Sequence, residues 1–556
     1  MLPPEILLNV FSLVPQMHSS VNLIIIDAAC GPMRIRNVWE LAPITQVCHH
    51  WRRVSLHASS LWSSAFCLRR SGGRKYLGET YPFYRHRRGG PLRLYVEAHG
   101  VSGHAGDRWQ DHTSPALSSD EKGLVDELHV YLDGRWPTST ETLPPCLNAP
   151  MLAVQRLVIH AMCSPGRLPW IGSRPLFGNH PLEALKSLAF INTPFLPSNC
   201  ISSSLTRLVL MHYRQAASLP LPDLLSFLSG TPALEQAYIH GVHLSIPSGN
   251  VNIKTVALHR LRKLSVSLHN FSALQVSPLT LLGHLIIEPT CLLRVELDSP
   301  QHLHSMTSYL NGIPWPADSP NSVHFAYTDN PDPKEPRVSL QAIMRNGGVR
   351  IDIPNLAIED YLEWVPPLQE LMDVPMFASA RALWMSGSVA PNAFIAAFHA
   401  LSRVEELYDV TTFGGLVRSL HPRRSSNSAT PLAFPQAVVL YTHIFNRGML
   451  RVVRDVLLHR QEGNGIQLLL ASYAGNRLMI DHSEHPLVSS TEVETSIGPH
   501  VLGAVEVLGD KEKYLQSKYS LRNVLPPECV DEEEVFPEWP SWTEGVFVPY
   551  NYIFRV

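Results

Sequence analysis

Paired cysteines, a basic leader, a long apolar run and every common catalytic signature are missing from this 556-residue chain. Each absence removes a class of function. The eight cysteines are Cys30, Cys48, Cys67, Cys146, Cys163, Cys200, Cys291 and Cys529. None stands in a CxxC pair, so they read as reduced, buried thiols of an intracellular protein. The opening "MLPPEILLNV" has two prolines and Glu5 where a secretory leader carries basic residues. The apolar stretch 21–26 is far shorter than the ~20 residues that span a bilayer. Charge is scarce too, with Asp, Glu, Lys and Arg at 17% against a usual ~25%. A net charge of -3 argues against a mainly electrostatic nucleic-acid binder. No GxxxxGK[ST] or GxSxG occurs, and "EGNGIQL" lacks a third glycine and precedes a strand pattern, where a phosphate loop would open a helix. The sequence gives no support for catalysis or for a cofactor. The expected setting is the cytoplasm or nucleus, with no membrane segment.

What is abundant is proline, 46 residues of it, which implies short elements that stop abruptly. The first ~70 residues are helical in spacing. Ile6, Val10 and Leu13 form one stripe and Leu7, Phe11 and Val14 another, with Pro3 and Pro4 at a helix start. A second helix is expected over about 43–57, with Ile44, Val47, Cys48, Trp51 and Val54 on one face. A short third element carries Leu61 and Trp62. Trp51 and Trp62 suit an interface anchor or a small core.

From about residue 90 a phrase recurs: an apolar segment, often a proline, then L-x-x-L-x-L. Examples are "HPLEALKSLAF", "SSSLTRLVL", "TPALEQAYIH", "LRKLSV", "LLGHLII" and "SRVEELYDV". Taking Leu188, Leu208, Ala237, Leu264 and Leu285 as equivalent gives intervals of 20, 29, 27 and 21 residues, the range of leucine-rich repeats. The asparagine ladder of such repeats is not visible, so the units are degenerate. "LPDLLSFLSG", "NAFIAAFHALS" and "RGMLRVVRDVLLHRQEGNG" read as intervening helices, the last closed by Gly463. The expected fold is α/β: a small helical module over 1–65 with an insertion at about 16–38, a basic connector at 66–90, one curved leucine-rich-repeat-like solenoid over 91–520 and a tail at 521–556. Residues 313–336 are proline-rich and read as a loop, as does "SSNSAT" at 425–430.

Two constellations invite chemistry. Cys48, His49, His50 and His57 lie close in sequence, but a structural zinc site wants paired ligands at fixed spacing, and the reading here is a core thiol beside solvated histidines, with no metal. In 68–90, Arg69, Arg70, Arg74, Lys75, Arg85, Arg87 and Arg88 interleave with Tyr76, Tyr81, Phe83 and Tyr84, the mix that stacks on single strands. The simpler reading is a solvated connector. The stripe on 44–54 is more apolar than a three-helix unit can hide, which points to a docked partner.

These residues resemble an F-box. "LPPEILLNVFSLV" is similar to the family's opening Leu-Pro-x-Glu-Ile/Leu helix, and "ITQVCHHWRRVSLHASSLWSS" to its Val-Cys-x-x-Trp-Arg helix and closing Leu-Trp. Followed by "RRGGPLRLYVEA" and irregular repeats, the pattern resembles the large F-box families of mushroom-forming fungi. The resemblance implies a substrate receptor of an SCF-type cullin–RING ubiquitin ligase, not itself an enzyme. The F-box would dock a Skp-type adaptor and through it a cullin, while the repeats hold an unknown protein target. By motif position it assigns adaptor contacts to Leu2, Pro3, Ile6, Leu7, Val47, Cys48, Trp51 and Trp62. Two alternatives stay open: an RNA-binding protein using 68–90, and a solenoid scaffold with a decayed F-box.

Overall fold

The computed structural model describes residues 2–13, 41, 43–62, 64–67, 91–101, 108–110, 124–133, 143–148, 150–161, 172–198, 204–212, 218–246, 253–267, 277–297, 299–315, 321–327, 338–344, 347–353, 361–387, 397–398, 400–411, 415–420, 434–444, 447–461, 466–472, 490–501 and 504–508. The inserted stretch 16–38, the basic–aromatic segment 68–90, the loop 425–430 and the tail 521–556 lie outside them. The chain divides into two compact units, Met1–Glu288 and Pro289–Val556. Both are mixed α/β, with mostly parallel pairing among their strands.

The first unit opens with three helices: α1 (Pro4–Leu13), α2 (Ile44–Val47) and α3 (His49–His57). The single helix expected over 43–57 is therefore corrected to two. Cys48 between them is extended (φ -158°, ψ 169°), and its Sγ accepts the Trp51 N–H at 3.4 Å as the cap of α3. Cys48 is exposed. That corrects the expectation of buried thiols at this position, whereas Cys146 and Cys291 are buried.

The strands β1 (Ser64–Cys67), β2 (Leu92–Val101), a short β3 (Arg108–Gln110), β4 (Val125–Asp133), β5 (Arg156–Ala161), β6 (Ser187–Ile191), β7 (Arg207–Met211), β8 (Gln236–His240) and β9 (Lys263–Ser267) follow. Apart from β3, which runs antiparallel to the end of β2, they pair in parallel in sequence order. Leu94, Leu128, Leu157, Leu188, Leu208, Ala237 and Leu264 stand in one register row and are all buried. Four of the five positions taken as equivalent from sequence thus share a row. Leu285 does not: it pairs with Val256 in a separate two-stranded ladder, just after the short helix Pro278–Gly283.

The backbone repeats with the leucines. Leu185 N–H donates to Leu182 O at 3.1 Å and Leu234 N–H to Thr231 O at 3.1 Å, tight turns that aim the next residue into the sheet. One residue later, Lys186 N–H donates to Gln155 O, Thr206 to Lys186, Glu235 to Thr206 and Arg262 to Glu235, at 2.8–2.9 Å. Each unit is thereby latched to its predecessor at the same point. Asn192 (φ 54°) and Gly241 (φ 64°), directly after β6 and β8, take the left-handed backbone that Asn and Gly tolerate best. Helix α4 (Leu221–Ser229) buries Leu221, Leu224, Leu225, Phe227 and Leu228, each worth roughly 1.5–3 kcal/mol of apolar transfer.

In the second unit, β10 (Leu292–Glu296) begins a sheet whose next three strands break sequence order. These are β11 (Asn321–Tyr327), β12 (Val338–Met344) and β13 (Gly347–Ile353). β10 pairs in parallel with β13, and β12 runs antiparallel between β13 and β11. The loop expected over 313–336 therefore contains a strand: "NSVHFAY" alternates across the sheet, burying Val323 and Phe325 despite its proline-rich flanks. From β11 the order is again parallel and sequential through β14 (Ala380–Gly387), β15 (Glu406–Thr411), β16 (Val439–His443), β17 (Leu468–Ser472) and β18 (Ala504–Leu508). Leu383, Leu407, Leu440 and Leu469 share a row. The latch recurs, with Glu405 N–H on Arg381 O, Val438 on Glu405 and Gln467 on Val438. Helix α5 (Pro300–Asn311) packs beside α6 (Tyr361–Met372), and α7 (Arg447–Gln461) ends in His459 and Arg460. Of "NAFIAAFHALS", only Ala397, Phe398 and the last three residues fall among those described.

Candidate docking surfaces

The N-terminal helices bury one stripe of α1 and leave the other in solvent. Leu7 and Phe11 enter a small core with Leu41, Ile44 and Trp62, against which Trp51, Val54 and Leu61 pack. Phe11 meets Trp51 edge to face at 5.2 Å, and the Trp62 indole N–H donates to Ser55 O at 2.8 Å. Arg52 Nε donates to Thr45 O at 2.7 Å, holding α3 against α2 across the Cys48 break. Leu2, Ile6, Val10 and Leu13 fall on the opposite side of α1, their exposure running from 43% at Val10 to 78% at Leu13. Val47, at the end of α2, is 60% exposed.

The residues assigned by motif therefore divide. Leu2, Pro3, Ile6, Val47 and Cys48 lie on the surface. Leu7 and Trp62 lie in the interior, and Trp51 is half-buried against Phe11. Val10 and Leu13 extend the exposed row and were missing from that assignment. The i, i+4, i+7 spacing from Ile6 was the signal that could have found them. Among the described residues no group of three or more His, Cys, Asp or Glu side chains is placed to hold a metal, and no helix is long and apolar enough to cross a membrane.

Beside the leucine row of the first unit runs a polar one. In the first unit, Arg93, Glu127, Arg156, Ser187, Arg207, Gln236 and Lys263 form one register row across seven strands. Glu127 is buried, bonded to His129 Nε2 at 2.9 Å and 3.7 Å from Arg156 Nη1. Burial alone would raise its pKa, but the His129 hydrogen bond and the His129, Arg156 and Arg93 charges outweigh it and hold the carboxyl below its usual range. Arg207 Nε donates to Gln236 Oε1 at 2.9 Å, which fixes the guanidinium along the row.

In the second unit the ionic groups sit where strand order breaks. Asp352 on β13 is fully buried, taking Arg294 Nε at 2.8 Å and Arg350 Nε at 2.8 Å. Burial pushes its pKa up, and the Arg350 and Arg294 charges, with hydrogen bonds from Arg350 and Ser339, push it further down, for a net lowering. Beyond this knot, Trp384 stacks flat on Tyr408 at 3.8 Å and 5°, and Tyr408 Oη donates to Glu406 at 2.9 Å. Sequence reasoning found neither the ionic row nor the stack, because both need the register between strands. No family model and no curated protein matches this chain.

Proposed function

We propose that the chain is the substrate receptor of an SCF-type cullin–RING ubiquitin ligase, acting in the cytoplasm or nucleus. Residues 1–65 would be the F-box, and 91–520 an irregular leucine-rich-repeat-like solenoid that holds a protein target. What carries the reading is the exposed apolar row Leu2, Ile6, Val10 and Leu13 with Val47, set on a helical cluster that already has its own core. Single exposed apolar residues are ordinary, whereas a contiguous row on one helix marks an interaction site. Leu2, Ile6 and Val47 of this row are positions to which the F-box resemblance assigns adaptor contacts. Leu7, Trp51 and Trp62 then serve by holding the helices, not by touching the adaptor. The row-and-latch regularity of both sheets supports the solenoid. Such a receptor performs no bond chemistry; it raises the effective concentration of a target lysine near the ubiquitin-loaded enzyme.

The test is capture by a purified Skp-type adaptor. Replacing a central interface anchor typically costs ~2–4 kcal/mol, roughly 30- to 1,000-fold in affinity. Ile6→Arg and Val47→Arg should each weaken capture on that scale with the circular dichroism unchanged. His49→Ala with His50→Ala should matter far less. Undiminished capture of both arginine variants, or no capture of the unmodified chain, overturns the reading.

A further inference from the structure

Helix α7 seats one face and offers the other to solvent. Met449, Leu450, Val453, Val456 and Leu457 are buried, and the buried Arg460 donates to the Phe434 and Ala437 carbonyls. On the outer face Arg447, Arg451, Arg454 and Leu458 follow one another at the i, i+4, i+7, i+11 spacing of a single helix line, and all four are exposed. The charges of this line are only lightly matched. Glu492, on the helix Ser490–Ile497, takes Arg447 at 2.8 Å. Arg454 lies 3.6 Å from its sequence neighbour Asp455, with 45% and 43% of the two side chains in solvent, a contact worth little. Arg451 makes no ion pair among the described residues. Past Arg447 the line therefore offers two accessible cations and then an apolar residue, Leu458, 41% exposed.

The chain itself carries the complement. "DEEEVFPEW", residues 531–539 of the tail, has four carboxylates in succession, then Val535 and Phe536, and no Lys or Arg. Pro537 biases Phe536 toward extended backbone. In an extended segment Glu532, Glu534 and Phe536 share one side and span about 13 Å. Arg451 to Leu458 covers about 10 Å of helix, and the long arginine side chains take up the difference. We propose that 531–536 docks along the outer face of α7, with Glu532 and Glu534 against Arg451 and Arg454 and Phe536 on Leu458. The segment runs in the direction of the helix, because its acids precede its apolar pair as the arginines precede the leucine. Reach is no obstacle: the 23 residues 509–531 span up to about 75 Å when extended. The contact is intramolecular, so individually weak exposed pairs are enough to hold it. The inference is independent of the adaptor reading, which concerns residues 1–65.

The experiment is carbodiimide crosslinking of the full chain at low salt, which joins a lysine amine to a touching carboxylate, read by mass spectrometry. In the variant carrying Arg451→Lys and Arg454→Lys the positive charge is kept, and the introduced amines should join carboxylates of 531–534 within one chain. High salt should suppress the product, since exposed pairs are screened, and adding Phe536→Ser should lower its yield about threefold, the scale of one partly buried ring. A second measurement compares the unmodified chain with Arg451→Glu and Arg454→Glu together. A glutamate-specific protease should cut after residues 532–534 about fivefold faster in that variant, the scale of two exposed ion pairs. The substituted helix positions are exposed, and circular dichroism checks that each variant is folded. No product between 451 or 454 and the segment, or equal cleavage of the two folded chains, overturns the proposal. Crosslinks between two chains, growing with protein concentration, would make the occupant a second copy and overturn it as well.

Discussion

The two units use one strand pattern and place their charges in opposite ways. In the first, cations are spread along a row, one to every second strand, and the exposed part of Arg156 shows the row meeting solvent in its middle. In the second, Arg294, Arg350 and Asp352 are drawn into one buried knot at the point where antiparallel β12 interrupts the order. The rest of that face is given to the Trp384–Tyr408 stack. Arg207 of the row faces the neutral Gln236, whereas each knot charge faces a buried opposite charge.

The largest effect should come from the knot. Asp352→Ala strands two buried guanidiniums, and breaking such a group by removing one partner costs about 3–5 kcal/mol. Urea unfolding followed by tryptophan fluorescence would show it, and a loss below about 1 kcal/mol would break the contrast between the units. Trp384→Ala removes a large buried ring and should cost about 3–5 kcal/mol, with loss of near-ultraviolet dichroism from the stack. A smaller, pH-dependent effect follows from Asp352. Its folded pKa is lowered, so its stabilisation is present above the ordinary carboxylate value of ~4 and is lost as pH falls through the depressed one. The stability gap between the natural chain and Asp352→Asn should accordingly narrow below about pH 4. Arg207→Gln, facing a neutral Gln236, should change stability by no more than about 0.5 kcal/mol. A large loss there would show the row to be structural after all.

How much of this was legible depended on whether a feature is local. The L-x-x-L-x-L phrase fixed Leu188, Leu208, Ala237 and Leu264 as equivalent, since each repeat buries the same positions against its neighbours. It failed at Leu285 because "LLGHLII" carries the same leucines on a short helix and a side ladder, where Leu285 pairs with Val256. The strand at 321–327 was hidden by flanking prolines, whose effect on composition outweighed a seven-residue alternation. At Cys48 the apolar spacing was right for a helix face, yet the backbone turns there so that the thiol can cap α3. On α1 the two apolar stripes were legible. Which α1 stripe would be buried was not, because both are apolar and only the partners Leu41, Ile44 and Trp62 decide it.

The interrupted order of the second sheet has a consequence during biosynthesis. In the first unit nearly every main-sheet strand pairs with the one made just before it, so the sheet can grow as the chain leaves the ribosome. β10 must wait for its partner in the second unit, β13, because Leu293 aligns with Val349, 56 residues later. At ~5–20 residues per second this leaves an unpaired parallel edge for roughly 3–11 s. One edge of β11 waits as long, because Val323 aligns with Leu383, 60 residues later, so the nascent second unit carries open strand edges on which mispairing can begin.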